Sequence, residues 1–311
     1  MTSAATTSQR SRMSLWVQAA RTFSFPASVV PMLVGIMWTL GSFHGEIYWG
    51  LVPVILLAGV LFHAGANMVN DYFDYKKGVD KDDSYGSSRI IVEGLLSPKE
   101  VLNGGLLMYA IGFALGLILV YYHGLPILLL GVIGLLGGLL YTGFNVAYKY
   151  YALGDIFVFL MFGPMMVLGT STALTGVLDY NTFFVSIPIG LLTVAILNAN
   201  NIRDIKHDKQ ANVSTMATVM GVKASIAEYY FLIFGAFASV IIMVTFGFLS
   251  PWTLLVILSI KPAVDNVKFI AKADADKPED IMIGDVRTAQ HNLMFGVLYS
   301  IGLLLGVLIK F

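Results

Sequence analysis

Cysteine is absent from this chain. That excludes disulfides, thiolate metal centres and a cysteine nucleophile. Charge is scarce: Asp, Glu, Lys and Arg make up 12% of 311 residues, where a soluble domain carries about a quarter. So few charged side chains cannot cover a water-facing surface. Basic and acidic residues balance at 19 each, and no basic tract of the kind that follows a nucleic-acid backbone is present. Nucleic acid is therefore not an expected partner. The opening stretch, MTSAATTSQRSRMSLW, lacks a short apolar core followed by a small-residue cleavage site, so no removable signal peptide is expected.

What the chain has in excess is hydrophobic sequence, 57% of its residues. Runs of roughly 18 or more apolar residues read as membrane helices, and nine stand out at about 23–42, 48–67, 101–122, 125–143, 153–176, 181–199, 224–247, 250–268 and 289–309. Lys261 and Pro262 interrupt the eighth. The positive charges are sorted between the connections. The turns near His44, His123, Asp179 and Ser250 carry no Lys or Arg. The N-terminal arm and the other four connections carry all of them except Lys261 and Lys310. By the positive-inside rule, the N-terminus and those four loops face the cytoplasm. Nine crossings leave the C-terminus outside. The expected fold is thus an all-α integral membrane bundle around a central cavity, one domain over residues 1–311 with a polar arm at 1–20 and cytoplasmic cap loops.

The scarce acids are concentrated. The second helix runs into NDYFDYKKGVDKDD, which holds Asp71, Asp74, Asp80, Asp82 and Asp83, and the sixth runs into NNIRDIKHD. At an offset of 130 residues Asn70 falls on Asn200, Asp71 on Asn201, Asp74 on Asp204 and Gly78 on Asp208. The two helices are four apart in order, which suggests a duplicated four-helix unit. His63, Asn67, Asn70 and Asp74 are spaced by 4, 3 and 4 residues and share one helix face; Asn200 or Asn201, Asp204 and Asp208 do the same. Polar stripes at membrane depth face a bundle interior rather than lipid. Asp80, Asp82 and Asp83 read first as solvated turn residues. The deeper carboxylates repel one another and are desolvated, and a divalent cation relieves both penalties. Mg²⁺ favours one or two carboxylates plus water and phosphate oxygens, so two acidic groups on one face suit a diphosphate. Cations lie nearby: Arg89 in GSSRIIVEG, Lys149 beside Tyr141 in YTGFNVAYKYY, and Arg203 next to Asp204.

These motifs resemble the UbiA superfamily of membrane prenyltransferases, over most of the chain from WVQAARTFSFPASVVPMLVG to SIGLLLG. That family has nine membrane helices and two aspartate motifs, NDxxDxxxD and DxxxD. Asn70, Asp71 and Asp74 match the first, and Asp204 and Asp208 the second. Gly78 departs from the pattern, with Asp80 two residues on as the substitute carboxylate. The resemblance implies an enzyme that binds a polyprenyl diphosphate through Mg²⁺ and transfers its prenyl group to an acceptor. Asn70, Asp74, Asp80, Asp204 and Asp208 would hold the metal, and Asp71, Asp74, Asp204, Asp208 and Tyr141 would carry catalysis. Arg89, Lys149, Arg203 and Asn201 would meet the diphosphate, and Arg21, His63 and Asn67 the acceptor or cavity. NDYFDYKKGVD, NNIRDIKHDK, the YTG and LGD stretches and TAQHNLMFGVLYSIGLLL are similar to the branch that prenylates 1,4-dihydroxy-2-naphthoate with loss of CO₂, in menaquinone synthesis. A sister enzyme acting on 4-hydroxybenzoate or another lipid acceptor is the nearest alternative. The location implied is a plasma membrane, with membrane lipid as surroundings.

Three smaller readings complete the set. His63 is either a satisfied structural histidine or an acceptor contact, Asp155 is a helix N-cap, and the glycines of GLLGG at 134–138 suit close helix packing. A cation-coupled transporter is the rival class. Its acidic sites would sit at mid-membrane on broken helices, whereas these aspartates lie at helix ends.

Overall fold

The computed structural model describes residues 10–81, 87–143 and 147–309. Asp82, Asp83 and Lys310 lie outside them. The helices are α1 (Arg12–Ala19), α2 (Pro26–Ser42), α3 (Val52–Lys76), α4 (Pro98–His123), α5 (Leu125–Thr142), α6 (Gly154–Leu160), α7 (Met166–Thr175), α8 (Thr182–Gln210), α9 (Met216–Met220), α10 (Val222–Thr245), α11 (Ile260–Ile270) and α12 (Gly284–Leu308). A π-helical turn, Met161–Met165, joins α6 to α7 around Pro164. The missing donor of that proline explains the local widening. Among the described residues there is no named strand, and eight helical spans are long and apolar enough to cross a membrane. The protein is a multi-pass integral membrane protein.

The segment expected as the eighth crossing is helical in two pieces, a 3₁₀ stretch Pro251–Ser259 and then α11. It still runs the length of the bundle. A Cβ on Gly306 would sit 2.6 Å from the Ser250 side chain, whereas Asn266 Nδ2 donates to Arg287 O at the other end of α12 (3.1 Å). A 3₁₀ rise of about 2.0 Å and an α rise of about 1.5 Å per residue give these pieces about 34 Å together, enough for a hydrocarbon core of about 30 Å. These pieces therefore make a ninth helical segment long enough to cross, although it is not a long α-helix.

Glycines set the tightest crossings. Between α3 and α4, a Cβ on Gly65 would lie 3.0 Å from Gly105 O. Gly163 faces Gly190 of α8 equally closely, a Cβ there lying 3.1 Å from Gly190 Cα. Gly134, by contrast, meets nothing within 4 Å and borders the central cavity; of the GLLGG run, Gly137 and Gly138 make the close contacts, to Met161 and Tyr109. The main core gathers Val30 of α2, Ile189 and Leu192 of α8, Tyr229 and Ile233 of α10, and Phe295 and Tyr299 of α12.

Candidate active site

A cavity of about 440 Å³ runs along α3, α4, α5, α7 and α8. Its walls are apolar, with Phe62, Phe113, Met161, Phe162 and Met165 among them. Its polar end is formed by Arg21, Asn67, Asn70, Tyr141, Lys149, Asn200 and Asp285. The polar stripe of α3 lies where its spacing put it: His63, Asn67 and Asn70 border the cavity, and Asp74 is one turn beyond.

The end of α3 explains the departure at Gly78. Gly78 has φ +71°, its N–H donates to Tyr75 O (3.1 Å), and Val79 N–H donates to Asp74 O (2.9 Å). This is a Schellman turn with glycine at its left-handed position. The reversal folds Asp80 back beneath Asp74, with Asp80 N–H donating to Asp74 O (3.3 Å) and only 9% of Asp80 exposed. α8 ends the same way: Asn212 takes the left-handed position (φ 55°) and Val213 N–H donates to Asp208 O (2.8 Å). By its cap, then, Asp74 corresponds to Asp208, one turn later than the sequence offset pairs it.

The carboxylates are held individually. Asp71 accepts from Arg21 Nη2 and Ser88 Oγ, and Gln18 fixes the serine by donating to its carbonyl (2.8 Å). Asp74 accepts from Lys149 Nζ (2.7 Å) and Tyr150 Oη (2.5 Å). The loop carrying Lys149 and Tyr150 is tied to the far end of α8 by Ala152 N–H to Ser214 O (2.6 Å) and Ser214 N–H to Tyr150 O (3.2 Å). That link brings the two aspartate motifs to one place: Asp208 lies in the fields of Lys149, Asp204 and Asp74.

Arg203 corrects an expectation. Its Nε and Nη2 clasp Asp204 (both 2.9 Å), Nη2 also donates to Asn200 Oδ1 (2.5 Å), and Nη1 donates to Asp285 (2.9 Å) and Met282 O (3.1 Å). A guanidinium has five N–H donors, and all five are engaged in a side chain 4% exposed. None is left for a diphosphate. Arg89 also stands off the cavity wall, directing Nε to Glu93 (3.0 Å). Asn201 is buried away from the wall; Asn200 borders it. Asp155 is not an N-cap, since Leu153 holds that position.

Arg21 and Lys149 remain at the cavity. Arg21 takes a left-handed backbone (φ 52°), and its buried Nε has no hydrogen-bond partner. Burial works against its charge, but Asp71, Asp80 and Asp74 outweigh it and hold the guanidinium charged. Burial opposes the charge of Lys149 too, and Asp74 more than offsets it. Lys149 Nζ also stands 6.0 Å from the centre of the Tyr141 ring. Deeper in, His63 Nδ1 is 2.8 Å from Ser28 Oγ and Nε2 is 3.2 Å from Ser24 Oγ, and Asn67 donates to Ser24 Oγ (3.1 Å). Ser24 and Ser28 donate their own protons to the carbonyls of Arg21 and Phe25.

The donor set suits Mg²⁺. Among the described residues no side-chain hydrogen bond or ion pair engages Asp80 or Asp208. Burial, then the charges of Asp74 and Asp71, push Asp80 up to about 7, the mark of a carboxylate short of positive charge. No trio of His, Asp or Glu among the described residues forms a ready metal cage, and Mg²⁺ does not require one, since it keeps water and takes phosphate oxygens. Ser88, Tyr150, Asp285 and the serines around His63 were not singled out by sequence reasoning. Ser88 and Tyr150 stood in stretches already marked by Arg89 and Lys149; Asp285 and the serines around His63 carry no local signal.

Residues 28–292 match the model of the UbiA prenyltransferase family. The chain is 32% identical over 292 residues to 1,4-dihydroxy-2-naphthoate octaprenyltransferase of Bacillus subtilis, covering 94% of this chain and 92% of that one. It is 31% identical over 302 residues to UbiA prenyltransferase domain-containing protein 1 of Homo sapiens, covering 96% and 86%. Among solved structures, an apo UbiA homolog from Aeropyrum pernix K1 superposes with a TM-score of 0.65 at 17% identity, covering 91% of this chain and 96% of that one. A homolog from Archaeoglobus fulgidus bound to GPP and Mg²⁺ gives 0.62 at 14%, covering 92% and 99%.

Proposed function

The chain belongs to the UbiA prenyltransferase family, and from that premise we propose that it prenylates 1,4-dihydroxy-2-naphthoate, with loss of CO₂, using a polyprenyl diphosphate and Mg²⁺. The observation that carries this reading is the ion pair of Asp74 with Lys149 (2.7 Å) at the polar end of an otherwise apolar cavity, with Asp80 folded back onto Asp74 and Asp208 in the field of Lys149. The Archaeoglobus fulgidus homolog with bound GPP and Mg²⁺ and the Bacillus subtilis relative named as a 1,4-dihydroxy-2-naphthoate octaprenyltransferase support it. Mg²⁺ bound by Asp74, Asp80 and Asp208 would supply positive charge to the departing diphosphate. Lys149 and the open Nε of Arg21 donate to the diphosphate oxygens, so they stabilise charge that grows as the C–O bond breaks. The diphosphate leaves with the bonding pair. The Tyr141 ring, beside Lys149, faces the allylic cation this creates. The apolar walls hold the isoprenoid tail and keep water from the cation.

His63 lies deeper, where an acceptor ring would meet the allylic carbon. Ser28 gives its proton to Phe25 O and so receives one from Nδ1, which leaves Nε2 unprotonated beside Ser24 Oγ (3.2 Å), where a substrate hydroxyl would displace that serine to reach its lone pair. Asn67 steadies Ser24 beside it. The charge sorting of the loops supports a site at the cytoplasmic face of a plasma membrane. The test offers purified protein one prenyl diphosphate with 1,4-dihydroxy-2-naphthoate and 4-hydroxybenzoate, with and without a Mg²⁺ chelator, and identifies products by mass. A decarboxylated naphthol product that disappears with the chelator is expected. Prenylation of 4-hydroxybenzoate alone would overturn the acceptor.

A further inference from the structure

Behind α8, turned from the cavity, two oxygen-bearing side chains meet and a third stands near them. The cavity face of α8 carries Thr193, Ile196, Leu197 and Asn200. Asn198 points about 100° away from Leu197, and its Nδ2 donates to Glu228 Oε2 of α10 (2.8 Å). Asp155, in the first turn of α6, lies in the field of that same glutamate. Asp155 is 8% exposed and Asn198 1%. The Oδ1 atoms of both are buried without a hydrogen-bond partner. The Asn198 amide is planar, so its Oδ1 flanks the nitrogen that meets Glu228. Among the described residues no Lys or Arg forms an ion pair with Asp155 or Glu228.

Two carboxylates and an amide oxygen in a membrane helix bundle, with one N–H bond among them, are unfavourable as they stand. A shared proton would join the carboxylates but leave Asn198 Oδ1 unmatched. A metal ion uses all three. Carboxylate and amide oxygens are the donors that hard cations take, and such ions complete their shells with water. We propose that Asp155, Asn198 and Glu228 form a second cation site, separate from the aspartate motifs, for a hard oxygen-liganded ion of the Ca²⁺ or Na⁺ kind. Half-buried Glu228 gives the way in from outside. The ion ties the start of α6 to α8 and α10. It thereby braces the cavity wall, because a Cβ on Gly154 would lie 3.7 Å from Tyr141 Oη.

Purified protein in detergent is titrated with CaCl₂ and, separately, NaCl, with choline chloride holding ionic strength constant, and the melting temperature is read. Wild type and Asp74→Asn should gain a saturable rise, on the order of a few °C at a hundredfold excess over Kd. Asp155→Asn and Glu228→Gln should not. The effective salt names the ion. A rise that survives in both variants would belong to the aspartate motifs, and no rise in either salt would leave the carboxylates sharing a proton; either result overturns the site. Equilibrium dialysis with radioactive calcium or sodium gives a second readout: one ion fewer per chain in Asp155→Asn. None of these measurements depends on turnover, so they stand or fall apart from the proposed reaction.

Discussion

Lys149 and Arg203 look alike in the sequence, each a cation beside an acidic motif, and the structure separates them by counting donors. Arg203 has no N–H to give, so it is the buried knot that holds α8 to the start of α12. Lys149 borders the cavity, with Asp74 at 2.7 Å and Asn70 Oδ1 at 3.5 Å. Replacing each with Met should therefore give opposite outcomes. Lys149→Met should lower turnover by about 10²–10³, as loss of a preorganised donor does, with a smaller effect on melting. Arg203→Met should destabilise the fold by about 3–5 kcal/mol, because Asp204 and Asp285 would be left buried without their partner. Steady-state kinetics and thermal melts of both variants check this; a stable, inactive Arg203→Met would return that residue to the diphosphate. Residue types and their helix face were readable at this scale, as the α3 stripe from His63 to Asn70 shows. Partners were not. Ser88 reaches Asp71 from 17 positions away and Ser28 reaches His63 from 35, and no periodicity encodes such contacts.

At the scale of elements, apolar length identifies the helices well because in lipid every backbone group must be satisfied within its own segment. It says nothing of how a helix ends, and here the ends carry the chemistry. Gly78 reads in the sequence as an aspartate lost from the motif. In the fold it is the residue that permits the turn returning Asp80 to Asp74. A side chain at φ +71° costs about 1–2 kcal/mol, less for Asn, and no neighbour stands within 4 Å to add a clash. Gly78→Ala should thus lower the melting temperature modestly and move the Mg²⁺ dependence of turnover to higher concentration, while Gly78→Asn stays near wild type. A Mg²⁺ titration of the three proteins tests it: an unchanged midpoint in the alanine variant would mean that the turn does not place Asp80. The π turn at Met161–Met165 escaped notice for a related reason, since Pro164 is visible in the sequence but the choice between break, kink and widened turn depends on Gly190 packing against Gly163.

At the scale of the whole molecule the question is parity. An apolarity window finds eight spans and would return the C-terminus to the side of the aspartates, whereas nine passes put it opposite. The contacts of α12 argue for nine. Its first turns lie by Arg203 and Asn266, and its last lie by Ser250 and Thr253, so Pro251–Ile270 must travel the bundle to join them. Hydropathy weakens there because Lys261, Asp265 and Lys268 occupy one exposed face of α11, toward the same end as Asp204 and Asp208. The sorting of Lys and Arg likewise implies an odd count, since charge placement records topology even where helix regularity fails. A chain without cysteine allows a direct check. Single cysteines at His44, Lys272 and Leu308, in intact cells or oriented vesicles, meet a membrane-impermeant maleimide. His44→Cys and Leu308→Cys should label from outside, and Lys272→Cys only after the membrane is opened. Labelling of Lys272→Cys from outside, with Leu308→Cys reached only after the membrane is opened, would remove 251–270 as a crossing.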